Sequence, residues 1–149
     1  MAILIGIDPG EYTGLAVWDT TAQCLRQVCT MPLHQALDEV RRWAYACDLA
    51  PAPVQFLVVF EDARQRTWFA PERNNAEYRG KLMGAGAAKR DARIWEEFLE
   101  AHHIRYQAIK PAAGRTKWAA DYWARVTGWQ GRTSEHARDA ALLVFNRRW

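Results

Sequence analysis

Ile3-Leu4-Ile5-Gly6-Ile7-Asp8-Pro9-Gly10-Glu11-Tyr12-Thr13-Gly14-Leu15-Ala16-Val17-Trp18-Asp19 is an apolar run that ends on a carboxylate, turns, and returns as a second apolar run. Residues 3–7 read as a buried strand, Pro9-Gly10 as a turn and Thr13–Trp18 as a strand running back, so the unit is a hairpin with Asp8 at its mouth. Asp is a poor strand residue and is costly to bury as an unpaired ion. In this position it either caps the turn or binds a cation.

Outward from the hairpin, Cys24–Thr30 alternates as a third strand, and Met31-Pro32 opens a helix from Leu33 to Cys47 with apolar positions at helical spacing. Pro51-Ala52-Pro53 breaks the chain. Gln55–Phe60 is then a nearly continuous apolar run, which predicts a strand buried on both faces, and it ends in Glu61-Asp62. Ala63 to Lys81 lacks periodicity and reads as a long loop, rich in Arg, Asn and aromatic residues. Gly84 to His102 reads as a helix, Ile104–Ile109 as a half-buried strand, Thr116–Val126 as a helix stopped by Gly128, and Thr133 as the N-cap of a last helix running through Asn146. This order predicts one α/β domain over residues 1–149. Its five-stranded mixed sheet has the first three strands antiparallel and is flanked by helices. If the first and fourth strands are parallel neighbours, Asp8 and Glu61 end side by side, and two carboxylates so placed repel unless a cation lies between them. Strand alternation puts Glu61 on the side of Leu57 and Val59, and Asp62 on the other.

Composition narrows the function. The chain has 149 residues, enough for one core but not for a two-lobed clamp. No apolar run approaches the roughly 18 residues of a membrane span and no signal pattern follows Met1, so the expected setting is the cytoplasm. Cys24, Cys29 and Cys47 lack metal-type spacing and read as reduced thiols. Ser134 is the only serine, which disfavours a serine hydrolase. Net charge is +3 but unevenly spread: residues 64–93 and 103–132 each carry +5, leaving −7 on the remainder. Two basic segments interleaved with aromatic residues suit a polyanion with stackable bases. Arg64, Arg66, Trp68, Phe69, Arg73, Arg79, Lys81, Lys89, Lys110, Arg115 and Lys117 are the candidate nucleic-acid contacts.

The third chemical element is Glu135-His136-Ala137-Arg138-Asp139-Ala140-Ala141, where His136 and Asp139 are three apart and share a helix face. A hairpin ending in Asp-Pro-Gly, a buried strand ending in Glu and a terminal helix with His-x-x-Asp-Ala together resemble the RuvC-type Holliday-junction resolvases of the ribonuclease H-like superfamily, and the order of elements agrees over nearly the whole chain. The resemblance implies that Asp8 is the first-strand metal ligand, Glu61 the fourth-strand acid and Asp139 the last-helix acid. It makes His136 their partner, as ligand or proton acceptor. It gives Lys117 a phosphate contact. Adjacent acids at 61 and 62, and a loop over 63–83 that is more basic and aromatic, depart from the family.

What the resemblance implies is two-metal phosphodiester hydrolysis, with Mg2+ or Mn2+ at two positions about 4 Å apart. The expected substrate is branched DNA; structured RNA, or binding without catalysis, are the competing readings. A sugar-kinase or actin-like ATPase shares the hairpin pattern but needs two lobes, and Gly80-Lys81 lacks the Ser or Thr of a phosphate-binding loop. A four-way junction cut on two symmetry-related strands also predicts a two-fold homodimer. The expected contact is the helix opening Gly84-Ala85-Gly86-Ala87-Ala88.

Overall fold

The computed structural model describes residues 1–66, 76–112 and 117–148. The chain forms β1 (Ala2–Asp8), β2 (Tyr12–Asp19), β3 (Cys24–Pro32), α1 (Leu33–Asp48), β4 (Gln55–Glu61), a single 3-10 turn at Ala63–Gln65, α2 (Ala76–Ala101), β5 (Tyr106–Ile109), α3 (Ala120–Thr127) and α4 (Glu135–Leu142). The five strands make one open mixed sheet in the order β3-β2-β1-β4-β5. β1 and β2 are antiparallel, as are β2 and β3, while β1–β4 and β4–β5 are parallel. No helix among the described residues is long and apolar enough to cross a membrane.

Strand alternation sorts the core into two layers. Ile3, Ile5 and Ile7 of β1, Leu15 and Val17 of β2, and Val58 and Phe60 of β4 face α1 and α2, meeting Ala36, Val40, Ala92, Trp95 and Leu99. Leu4, Ala16, Trp18, Val28 and Val59 face the other way, onto Trp123 of α3 and Ala137, Ala140 and Ala141 of α4. Val58, Val59 and Phe60 are fully buried, as expected of a strand covered on both faces.

Two glycines bring α4 unusually close to the sheet. An added Cβ at Gly6 would lie 2.0 Å from the carbonyl oxygen of Ala140, and one at Gly14 would lie 2.0 Å from that of His136. Both positions fall on the α4 face, next to Leu4 and Ala16, and in both the obstacle is backbone, which has no rotamer by which to yield. Small residues on the helix complete the fit, because Ala137, Ala140 and Ala141 are all fully buried. Ser134 caps the helix, its Oγ accepting from the Ala137 N–H at 3.0 Å, and it also hydrogen-bonds Thr30 of β3.

Several boundaries differ from those expected. α2 begins at Ala76, not Gly84, so part of the expected loop is helix and the Gly84–Ala88 run lies inside the helix instead of opening it. The exposed first half buries no continuous face, so it carries no periodic signal, while its Ala, Glu, Lys, Leu and Met content favours helix without one. α3 begins at Ala120, not 116, and β5 at Tyr106, not 104. Ser134, not Thr133, is the N-cap of α4, whose regular turns end at Leu142 before irregular turns over 143–146.

Gly14→Ala and Gly6→Ala test the close approach. Each is expected to cost about 3 kcal/mol by overpacking, a fall in Tm of roughly 10 °C for a chain of this size. A Tm within a degree or two of the parent would show that α4 does not sit against the hairpin at these points.

Candidate functional site

The parallel register of β1 and β4 sets Ile7 opposite Phe60, so Asp8 and Glu61 end neighbouring strands at the same sheet edge. Alternation turns Glu61 to the side of Leu57 and Val59, the side on which α4 packs. α4 presents His136 and Asp139 to that edge, one turn apart. The four residues line one cleft of about 370 Å³, with Lys117, Arg66, Pro9, Ala63, Ala88, Pro111 and Ala112 making up the rest of its wall.

His136 Nδ1 lies 2.7 Å from Asp8 Oδ2, which ties the helix to the strand through the site itself. Burial pushes the Asp8 carboxyl above its ordinary value, and the negative charge of Asp139 adds to the rise; the His136 hydrogen bond and charge, and Lys117, pull against it without prevailing. Asp139 is half-buried and receives no hydrogen bond or ion pair from any described residue. Its neighbour Arg138 turns elsewhere: Nε donates to the Trp118 carbonyl and Nη1 to the carbonyl and hydroxyl of Thr133, each at 3.1 Å. Arg138 thereby fastens the segments before α3 and α4 to the helix that carries the site, a role with no signature in the sequence.

Among the described residues, no three His, Cys, Asp or Glu side chains are gathered closely enough to form a finished metal cage. The donor types are nonetheless those of a hard divalent cation: carboxylates from three separate elements and one imidazole around a cleft. A cation there would relieve the like-charge interaction between Asp8 and Asp139.

Asp62 and Glu61, adjacent in sequence, have opposite surroundings. Asp62 is 4% exposed, faces α2 and lies outside the cleft lining. It caps the 3-10 turn, accepting from the Arg64 backbone at 3.0 Å, from Arg64 Nε at 2.8 Å and Nη2 at 3.0 Å, and from Gln65. Burial is the largest single influence on Asp62 and pushes it up, but the Arg64 and Gln65 hydrogen bonds and the Arg64 charge together hold it below its ordinary value.

Arg64, expected among the nucleic-acid contacts, therefore has its guanidinium engaged inside the protein, with Nη1 also donating to Glu96 of α2 at 2.6 Å. The reason is local: two residues after a buried acid, the guanidinium lies within reach of that carboxylate. Arg66 and Lys117 line the cleft, and Lys117 also forms an ion pair with Glu135. Arg79, Lys81 and Lys89 lie exposed along α2, and Lys110 is exposed after β5. Trp68, Phe69, Arg73 and Arg115 lie outside the described residues. Comparison with models of known protein families finds no match to this sequence, and comparison with curated proteins finds none either.

The two acids are separable by substitution. Asp62→Asn is expected to lower stability by about 2 kcal/mol through its charged hydrogen bonds. Because the folded-state carboxyl is depressed, the Asp62 contribution is complete above the unfolded value of about 3.9 and is lost as pH falls through the folded one. Urea titrations at pH 7 and pH 3 should therefore show a large difference between variant and parent at pH 7 and a small one at pH 3. Glu61→Gln should shift the urea midpoint far less at pH 7; an equal loss in both variants would place Glu61 in the fold's support and not in the site.

Proposed function

We propose that this chain is a divalent-metal-dependent endonuclease that cleaves branched DNA, built on a ribonuclease H-like plan. The observation that carries the reading is the convergence of Asp8, Glu61, His136 and Asp139, from two strands and a helix distant in sequence, on one cleft with basic side chains in its wall. Mg2+ or Mn2+ at two positions, held by Asp8, Glu61, Asp139 and His136, would supply an activated water and neutralise charge on the departing 3′-oxygen. The chain's own groups do the remainder. His136 holds the Asp8 carboxylate in place through Nδ1. Lys117 and Arg66 sit where a phosphate backbone enters the cleft. Glu135 shares Lys117 with that backbone and keeps the ammonium at the rim.

The substrate class is tested by incubating the chain with a four-way DNA junction, a matched duplex and a structured RNA, each with and without Mg2+. Cleavage of the junction alone, and only with metal, is expected. Cleavage of the RNA instead moves the activity to RNA, and cleavage of none leaves a binding module. Asp8→Asn should abolish cleavage, by more than about 100-fold, while junction binding persists or tightens, since a charge that repels phosphate has gone. Cutting at the parental rate would remove Asp8 from the reaction.

A junction has two strands to cut and each chain one cleft, so the reading also includes a two-fold homodimer. The outward face of α2 supports it: Leu82 and Met83 are 53% and 78% exposed, and beside them Gly86 has open space where a side chain would stand. Sedimentation of the free chain and of its junction complex should give a dimer that Leu82→Asp with Met83→Asp converts to a monomer. A parent that is monomeric in both and still cuts both strands would exclude the symmetric arrangement.

A further inference from the structure

The cleft that holds Asp8 does not end at His136. A second cavity of about 340 Å³ opens beyond it, and the two share Pro9, Ala88 and His136 as a common wall. The far side has a different character, contributed by Tyr12, Glu11, Asp91, Arg90 and Gly84. Tyr12 is 61% exposed, although every later residue of its strand is buried. Gly84 has no atom within 4 Å of where a Cβ would stand, so the cavity continues up to the helix backbone.

Arg90 and Asp91 form the polar end. Asp91 is only 3% exposed, and its Oδ1 accepts from Arg90 Nε at 3.2 Å and Nη2 at 2.9 Å. Side chains of consecutive residues leave a helix about 100° apart, so Arg90 folds back across the helix to reach this acid. The pairing fixes the plane of the guanidinium and leaves its Nη1 edge as donor. Two acids against one arginine give the cavity no excess positive charge, which disfavours a phosphate. A neutral planar group that carries both acceptors and donors fits the lining better.

We propose that this cavity receives the nucleobase flanking the scissile phosphate and selects guanine, an inference that rests on the nuclease reading of the adjoining cleft. Guanine offers O6 and N7 as paired acceptors, the pattern that an arginine edge matches best. It also has N–H donors on its neighbouring edge for the Glu11 carboxylate. Adenine puts an amino group where guanine has O6, and so sets donor against donor at Arg90. Tyr12 supplies the stacking face. The volume lies at the low end of ligand pockets, about 300–1,000 Å³, which suits a single base. The small residues Gly84, Ala87 and Ala88 then have a purpose on the inner face of α2, where a larger side chain would fill the space.

The test is cleavage of four-way junctions randomised at the nucleotides flanking the cut, with products sequenced, for the parent, Arg90→Ala and Gly84→Leu. Leucine is the better helix former, so the second variant fills the cavity from a helix it does not weaken. The parent should prefer guanine at one flanking position by about ten-fold, and both variants should bring guanine down to the level of the other bases. Equal cleavage at all four bases by the parent, or a preference that survives in both variants, overturns the base pocket while leaving the nuclease reading intact. For a chain that cuts no DNA, which would overturn the nuclease reading, NMR titration with guanosine and adenosine monophosphates decides the pocket separately. Shifts at Arg90 Nε and the Gly84 amide with the guanosine compound alone support it; equal or absent shifts overturn it.

Discussion

The close approach of α4 to the first hairpin is the constraint on which the rest depends. Two carbonyls of the helix occupy the space that side chains at Gly6 and Gly14 would fill, so the helix sits lower on the sheet than ordinary side-chain packing allows. That depth brings His136 to 2.7 Å from Asp8 and sets Asp139 in the same cleft. With alanine at either glycine the helix would have to rise or tilt, and the two halves of the site would part. The site's geometry is therefore written in residues that have no chemistry of their own.

This explains what the sequence disclosed and what it withheld. Continuous apolar runs found β1, β2 and β4, and period-two alternation found β3 and β5, because every strand buries side chains on at least one face. The same rule distinguished Glu61 from Asp62, since a one-residue step along a strand reverses the face. Asp8, Glu61, His136 and Asp139 were legible as chemistry placed where packing residues should stand. The roles of Gly6 and Gly14 were not legible, because a glycine's reason is the backbone of a partner element, and nothing local marks it. The internal partners of Arg64 are hidden for a related reason: composition counts a positive charge without asking which acid lies within reach.

The first half of α2 shows the limit of periodicity. Its residues are exposed on most sides, so the helix has no buried stripe to announce it. Its two faces nevertheless differ. Positions 84, 87, 88 and 91 follow helical spacing and line the cavity beside the site, whereas 82, 83 and 86 point away from it. One run of small residues thus lies between a face that lines the cavity and a face open to solvent.

The distribution of arginine partners divides the acids into two groups. Asp19, Asp62 and Asp91 are nearly fully buried, and each accepts a hydrogen bond from an arginine close in sequence: Arg26, Arg64 and Arg90. An acid so paired is compensated within the chain and has little left to offer a ligand. Among the described residues Asp8 hydrogen-bonds an imidazole and no arginine, and Asp139 has no hydrogen-bonding or ion-pairing partner. Burial penalises the charge on Asp8, and Asp139 adds to the penalty. A fold that gives an arginine to each of three buried acids and none to these two leaves their charge less compensated, the setting in which the hard cation of the proposed function would be stabilised by carboxylate oxygens.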